Sequence, residues 1–429
     1  MFWRALFIQC LHRVFLTTYL LFIIGIQPAS AVGKYLSMFV NIWMARYLGP
    51  SDFGLFSYVI AFVGIFSFIA NLGIGDVVVR ELVNNPEKKD KILGTSFRLL
   101  LVSSFLAFFV SILASFIFEG NGFSRLLIIL ASSSFLFTSF GVINTYFQAS
   151  ILAKRNAIAQ IITTILGSLF KIWIILSGQG LILFVFAFVL DYIVYAIIYL
   201  INYRLNGQSI FSWNYDKVLF KKIFSASLLL MFSAVAGYLL MKVDQVMIKI
   251  YLNETAVGYY AAAVKMSEAW YFIPGILCAS LFPAIINSKK TSNSSYRKRL
   301  NSLYLLLFSI AVLIGIFITV SASRIINLFY GEEFLSSISV LQIYVWAGVG
   351  MFLITGINKY LLVEDRLKEL FIYNLIAVVI NIALNICLIP RVGLLGAAWA
   401  TLISYSIWPF LVFIFDRKKV KNNQKDDIV

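Results

Sequence analysis

The chain has 429 residues, of which 61% are hydrophobic and 13% charged, with 40 phenylalanines and 7 prolines. Soluble domains carry about 25% charged residues, so this composition excludes an ordinary water-soluble domain. The net charge of +16 does not point to nucleic acid, because the charges sit in short links between long apolar runs.

Stretches of roughly 20 apolar residues recur along the whole chain, the length of a helix crossing a bilayer. The shorter alternating segments of a membrane barrel are not seen. At the N-terminus, Arg4 to Arg13, the apolar run Val14–Ile26 and Ala29-Ser30-Ala31 imitate a cleavable signal peptide. Cleavage there would cut into the first span, so residues 1–22 are read as an interfacial or partly inserted extension. Six spans follow near 24–45, 55–75, 94–118, 125–148, 156–178 and 181–201. After a basic link at 206–222, six more fall near 223–248, 258–285, 301–321, 337–363, 368–389 and 394–415, and a basic tail occupies 417–429. The expected fold is an all-α polytopic membrane protein of about twelve spans, with an N-lobe over 23–205 and a C-lobe over 223–416.

Lys and Arg alternate between the links. One side receives Arg80, Lys88, Lys89 and Lys91, then Lys154 and Arg155, then Arg204, Lys217, Lys221 and Lys222, then the clusters around 289–299, 366–368 and 417–425. The opposite links hold only Arg46, Arg125, Lys249, Arg324 and Arg391. By the positive-inside rule both termini are cytoplasmic.

The halves begin on the same side of the membrane, as parallel repeats would. After span 1 the chain reads Tyr47-Leu48-Gly49-Pro50-Ser51-Asp52-Phe53-Gly54, and after span 7 Tyr251-Leu252-Asn253-Glu254-Thr255-Ala256-Val257-Gly258. Tyr, Leu and Gly coincide at one constant offset. Pro50 or Glu254 can follow a helix end, Ser51 or Thr255 can cap the next helix, and the glycine permits close approach.

Cys10, Cys278 and Cys387 are far apart and have neither metal spacing nor a disulfide framework, and His12 is the sole histidine. No catalytic residue, metal or cofactor is expected. Ionisable residues inside spans are costly and usually face a cavity or a partner. Arg98 and Lys359 lie near the cytoplasmic surface and read as anchors. Asp76 and Arg80, at i,i+4, read as a local pair, and Lys171 and Lys242 are close enough to the outer surface to snorkel. Lys34, Asp191, Asp244, Lys265 and Glu268 lie deeper. Lys265 and Glu268 share a helix face with Tyr271. They are either a self-neutralised structural pair or part of a polar cavity for an anionic substrate, with Trp270 and Tyr271 offering faces to sugar rings. Asp191, Asp244 and Glu268 are candidates to take up H⁺ or Na⁺ from a gradient.

Ala45-Arg46-Tyr47-Leu48-Gly49-Pro50-Ser51-Asp52-Phe53-Gly54 resembles the A-R-x-L-G-P-x-x-[FY]-G signature of Wzx-type O-antigen and polysaccharide flippases. Asp244-Gln245-Val246-Met247-Ile248, then Val257-Gly258-Tyr259-Tyr260 through Lys265 and Pro274, resembles that family's D-x-x-M-I and V-G-x-Y segments. The resemblance implies the multidrug/oligosaccharidyl-lipid/polysaccharide exporter fold, with two six-helix lobes around a central cavity. It implies a lipid-linked oligosaccharide on undecaprenyl pyrophosphate as substrate, ion coupling, the bacterial inner membrane, and a polysaccharide polymerase and chain-length regulator as partners. It adds Arg46 to the substrate-binding candidates Lys34, Lys265, Trp270 and Tyr271. The competing readings are a drug or small-molecule exporter of the same fold and, less well matched by the short outer links, a membrane polysaccharide polymerase or ligase. No G-x-x-x-x-G-K-[ST] occurs, which excludes ATP hydrolysis by a P-loop.

Overall fold

The computed structural model describes residues 28–289, 292–364 and 366–426. The extension expected over 1–22 lies outside them, as do the side chains of the basic tail. Every regular element among the described residues is helical. In chain order these are α1 (Pro28–Ile65), α2 (Ser67–Asn71), α3 (Gly75–Asn84), α4 (Lys89–Phe118), α5 (Gly122–Ser132), α6 (Phe135–Thr138), α7 (Val142–Ala149), α8 (Ala153–Leu176) and α9 (Leu181–Leu205). After the link come α10 (Lys217–Tyr251), α11 (Glu254–Glu268), α12 (Phe272–Lys289), α13 (Asn293–Phe329), α14 (Ser337–Tyr344), α15 (Ala347–Val363), α16 (Leu367–Val392) and α17 (Leu394–Asp426).

Among the described residues, eleven stretches are long and apolar enough to cross a membrane. The difference from twelve arises in the first two expected spans. α1 runs through both as one stretch, although Gly49 (φ 72°, ψ 174°) breaks it and Pro50 restarts it. A side chain at that φ would be strained, and proline suits the first turn of the new segment. The rest of the second expected span breaks at Leu72 and Gly73, both left-handed at φ 49° and 63°. Leu72 is unusual there, because a non-glycine residue in that region costs about 1–2 kcal/mol.

α4 illustrates how these helices pack. Its buried face carries Ser103, Ser104, Ala107, Ser111, Ala114 and Ser115. Its exposed face carries Phe105, Leu106, Phe109, Leu113, Phe116 and Ile117. Small residues let helices approach closely where lipid removes any hydrophobic drive between them. The hydroxyls of Ser103, Ser104 and Ser111 are satisfied across helices. Ser103 donates to the Ala70 carbonyl at 3.0 Å, and Ser111 to Ser132 Oγ at 2.8 Å.

The chain forms two compact units. The first takes residues up to Leu48 and Phe62–Met231, and the second takes Gly49–Ala61 and the chain from Phe232 onward. Each has its own core, around Leu99, Phe147 and Tyr199 in the first and around Tyr405 and Trp408 in the second. The link before α10 is pinned to the first unit. Trp213 Nε1 donates to Tyr203 OH at 3.0 Å, and the Asp216 amide donates to Thr95 Oγ1 at 2.9 Å. Asp216 caps α10 by accepting from the amides of Val218 (2.8 Å) and Leu219 (3.1 Å). Those bonds, Leu219's foremost, hold its carboxyl below the usual carboxylate range. The cap's contribution is therefore present above that range and is lost as pH falls through the lowered pKa.

Lys222 of α10 reaches Glu81 Oε2 of α3 at 2.7 Å, and the Glu81 side chain is only 5% exposed. Lys222→Ala leaves the buried carboxylate without a counter-charge, with only Asn85 Nδ2 at 3.4 Å, and is expected to destabilise the protein by about 1–3 kcal/mol. A lowered Tm in detergent, restored by Lys222→Arg, is the check. An unchanged Tm would mean that water already serves Glu81.

Candidate functional site

Among the described residues, the second unit holds the most enclosed carboxylate of the spans. Asp244 of α10 is 1% exposed. Tyr260 OH of α11 donates to its Oδ2 at 2.7 Å, Asn385 Nδ2 of α16 donates to its Oδ1 at 2.6 Å, and the Thr401 hydroxyl of α17 also donates to Oδ2. Asn385 Nδ2 also bonds Asn381 Oδ1 at 3.0 Å, and both asparagines are fully buried. Among the described residues no Lys or Arg pairs with Asp244.

Local sequence explains the assembly. Asn381 and Asn385 are i,i+4 and so share one face of α16. At the start of α17, Gly396 lies against α16, where a Cβ would stand 2.5 Å from the Leu388 carbonyl carbon. Ala397, Ala398 and Ala400 are fully buried in the same close packing, which brings Thr401 to Asp244. α11 begins beside this site with Asn253 as its cap, accepting from the Ala256 amide at 2.8 Å. Thr255, the expected cap, is displaced in that role by the better-placed Asn253.

Among the described side chains, the other deep charges have partners. Lys242 Nζ lies 3.6 Å from Glu268 Oε2, and Tyr344 OH donates to Glu268 Oε1 at 3.4 Å. The Lys265 ammonium sits 5.5 Å from the centroid of the buried Phe53 ring, a cation–π arrangement. Trp270 is 37% exposed, whereas Tyr271 is half-buried. In the first unit, Lys171 Nζ meets Asp191 Oδ2 at 2.7 Å across the α8–α9 hairpin, instead of snorkelling outward. Gly167 makes room for that carboxylate, since a Cβ there would stand 1.8 Å from Asp191 Oδ1. Arg46 is exposed near the end of the first segment of α1, next to Tyr47, whose OH donates to the Gln179 carbonyl at 3.0 Å. Lys34 lies on α1, but its side chain is outside the described residues. Asp76 and Arg80, expected to pair, form no ion pair, although both are exposed.

Sequence reasoning singled out Asp244 as a deep charge and missed the groups around it. The asparagine pair at i,i+4 within an apolar span was the available signal, whereas Thr401 stands out from other span threonines only by its contacts.

The profile of a family described as polysaccharide biosynthesis protein matches residues 43–339. Over 400 residues the chain is 24% identical to a probable low-salt glycan biosynthesis flippase of Haloferax volcanii, covering 88% of this chain and 79% of that protein. It is 22% identical over 395 residues to a putative O-antigen transporter of Shigella flexneri, covering 85% and 88%. Among solved structures it is similar to an inward-facing MATE-family multidrug transporter of the MOP superfamily (TM-score 0.76, 16% identity, 92% and 96% covered). It is also similar to the lipid II flippase MurJ in an inward closed conformation (TM-score 0.70, 18% identity, 91% and 86% covered). These two likenesses concern the fold.

Proposed function

Because the chain belongs to the polysaccharide biosynthesis protein family, we propose that it is a flippase for undecaprenyl-pyrophosphate-linked O-antigen or polysaccharide repeat units. It moves them from the cytoplasmic to the periplasmic leaflet of a bacterial inner membrane, by alternating access driven by H⁺ or Na⁺. Both termini are cytoplasmic, and the product passes to a polysaccharide polymerase and chain-length regulator.

The observation that carries ion coupling is the cage around Asp244. A buried carboxylate without a counter-charge is expensive. Here it is met only by neutral hydroxyl and amide groups, and Asn385 Oδ1 is buried without a hydrogen-bond partner. The oxygens among these groups, the Asp244 carboxylate, the Tyr260 and Thr401 hydroxyls and Asn385 Oδ1, suit a proton or a hard monovalent cation. Asp191 and Glu268 already have lysines within reach, so Asp244 is the coupling group of choice among the three. Lys265, Arg46 and Lys34 are the cations assigned to the pyrophosphate, with Trp270 and Tyr271 assigned to sugar faces.

The test deletes the gene in its host and runs the surface polysaccharide on a gel. The expected result is a lost ladder and lipid-linked repeat units held at the inner leaflet, reversed by wild type but not by Lys265→Ala. Complementation by Lys265→Ala would remove the lysine's role. Single units already exported would indicate a polymerase, and an unchanged ladder with altered drug sensitivity would indicate a drug exporter.

A further inference from the structure

The break at Leu72–Gly73 opens a cavity of about 310 Å³ wholly within the first unit, bounded by that break and by α3, α4, α7 and α9. This lies at the lower end of the range for small-molecule sites, roughly 300–1,000 Å³. Its walls carry the amides of Asn71, Asn144 and Gln148, the hydroxyls of Thr145 and Tyr195, and the carboxylate of Asp76. Among the described residues no Lys or Arg lines it. Asp76 has no hydrogen bond or ion pair among the described residues, Arg80 one turn along included.

We propose that this cavity is a subsite for an uncharged, hydroxyl-rich saccharide unit. The inference rests on the flippase reading and assigns the sugar, as distinct from its pyrophosphate, to a place in the first unit. Charge makes the distinction. A carboxylate on a wall that carries no lysine or arginine repels a phosphate, whereas a carboxylate and planar amides accept from and donate to paired hydroxyls. Each sugar hydroxyl left unpartnered inside a membrane protein would cost several kcal/mol, so a transported sugar needs such a lining. The apolar part of the wall, Val78, Leu100 and Val142, can meet the C–H faces of the ring.

Position agrees with loading. α3 runs from the cavity toward Lys88 and the start of α4 with Lys89 and Lys91, and α7 runs toward Lys154 and Arg155. The cavity therefore lies in the half of the unit nearest the basic links, where a substrate built in the cytoplasm arrives.

Glycine supplies a clean test. A Cβ at Gly141, on the cavity wall, would meet nothing within 4 Å, and its φ is not positive. Gly141→Leu thus starts its side chain in open space on the cavity wall. Gln148 is exposed and its side-chain amide bonds only Asn144 Oδ1, at 3.1 Å, so Gln148→Ala is also benign to folding.

The purified full chain in nanodiscs is titrated with the repeat-unit oligosaccharide released by mild acid from the host's polysaccharide, with undecaprenyl pyrophosphate alone as control. Gly141→Leu is expected to weaken oligosaccharide binding at least tenfold and Gln148→Ala about threefold to tenfold. Tm and undecaprenyl pyrophosphate binding should stay unchanged. No measurable binding by the wild type, wild-type affinity in both variants, or one-for-one displacement of the oligosaccharide by Na⁺ would each overturn the subsite, the last by making it a cation site. Failure of the flippase reading is distinct from all of these, since it appears as an unchanged polysaccharide ladder in the deletion strain.

Discussion

Asp244→Asn is expected to abolish gradient-driven transport, by at least tenfold in rate, while leaving the fold as stable as wild type or more so. The two effects have opposite signs because the carboxylate is held where its charge is least welcome. At 1% exposure and with no counter-charge, Asp244 bears the desolvation cost of an ion and recovers only part of it from three neutral donors. An amide of the same shape removes the charge and keeps one acceptor for Tyr260 or Thr401. It also removes the only formal charge in the cage that can bind and release a cation. Asp244→Ala behaves differently, since it removes the acceptor shared by Tyr260, Thr401 and Asn385, leaving Asn385 with Asn381 Oδ1 (3.0 Å), Thr401 with the Ala397 carbonyl (3.1 Å) and Tyr260 with the Thr401 hydroxyl (3.2 Å). Each hydrogen bond lost to a charged acceptor costs about 1.5–3 kcal/mol. The measurement is flux of a fluorescent lipid-linked sugar in proteoliposomes under an imposed pH or Na⁺ gradient, beside Tm in detergent. Gradient-dependent flux at the wild-type rate in Asp244→Asn would remove the residue from coupling. A large drop in Tm for the same variant would make its charge structural.

Some of this architecture was legible in the sequence and some was not, for separable reasons. Hydropathy measures the cost of transferring side chains, and it located the apolar helices and the link before α10. It is blind to φ and ψ. The span expected over 55–75 therefore passed through Leu72–Gly73, although Gly73 and Gly75 flank Ile74 within three residues. The cavity beside that break was invisible for the same reason. Deep charges were legible one at a time, because a charge in an apolar run is conspicuous. Their partners were not. Lys171 and Asp191 lie on different helices at unequal distances from the turn between them, and the long lysine side chain closes the difference. Asn381, Asn385 and Thr401 are uncharged, so a search for ionisable residues passed over them. Asp244 consequently stood in the sequence as one of five similar deep residues, and only its neighbours set it apart.

The repeated Tyr-Leu…Gly segment carries a second large expectation, which rests on packing. Within the second unit, Gly54 and Gly258 lie against each other's segments in a reciprocal contact. A Cβ on Gly54 would stand 1.8 Å from the Glu254 carbonyl oxygen, and one on Gly258 would stand 1.9 Å from the Pro50 carbonyl oxygen. Pro50 and Glu254 are themselves equivalent positions of the repeat, so each copy's glycine meets the other copy's carbonyl, as in a two-fold contact. Backbone oxygens cannot rotate away as side chains can, so even alanine must push the two segments apart. Gly54→Ala and Gly258→Ala are each expected to cost at least the upper end of the usual range for overpacking, about 3 kcal/mol, and to lower transport with it. The double variant should cost much less than the sum, because segments already parted for one methyl admit the second. Gly237→Ala is the control. A Cβ there meets nothing within 4 Å, and alanine favours the helix by about 1 kcal/mol. Thermal unfolding of the four variants in one detergent decides the matter. Additive losses would mean that the two glycines act independently, and single losses below about 0.5 kcal/mol would mean that the contact yields easily. A sub-additive pair with a stable control would identify the repeated motif as one close contact made twice.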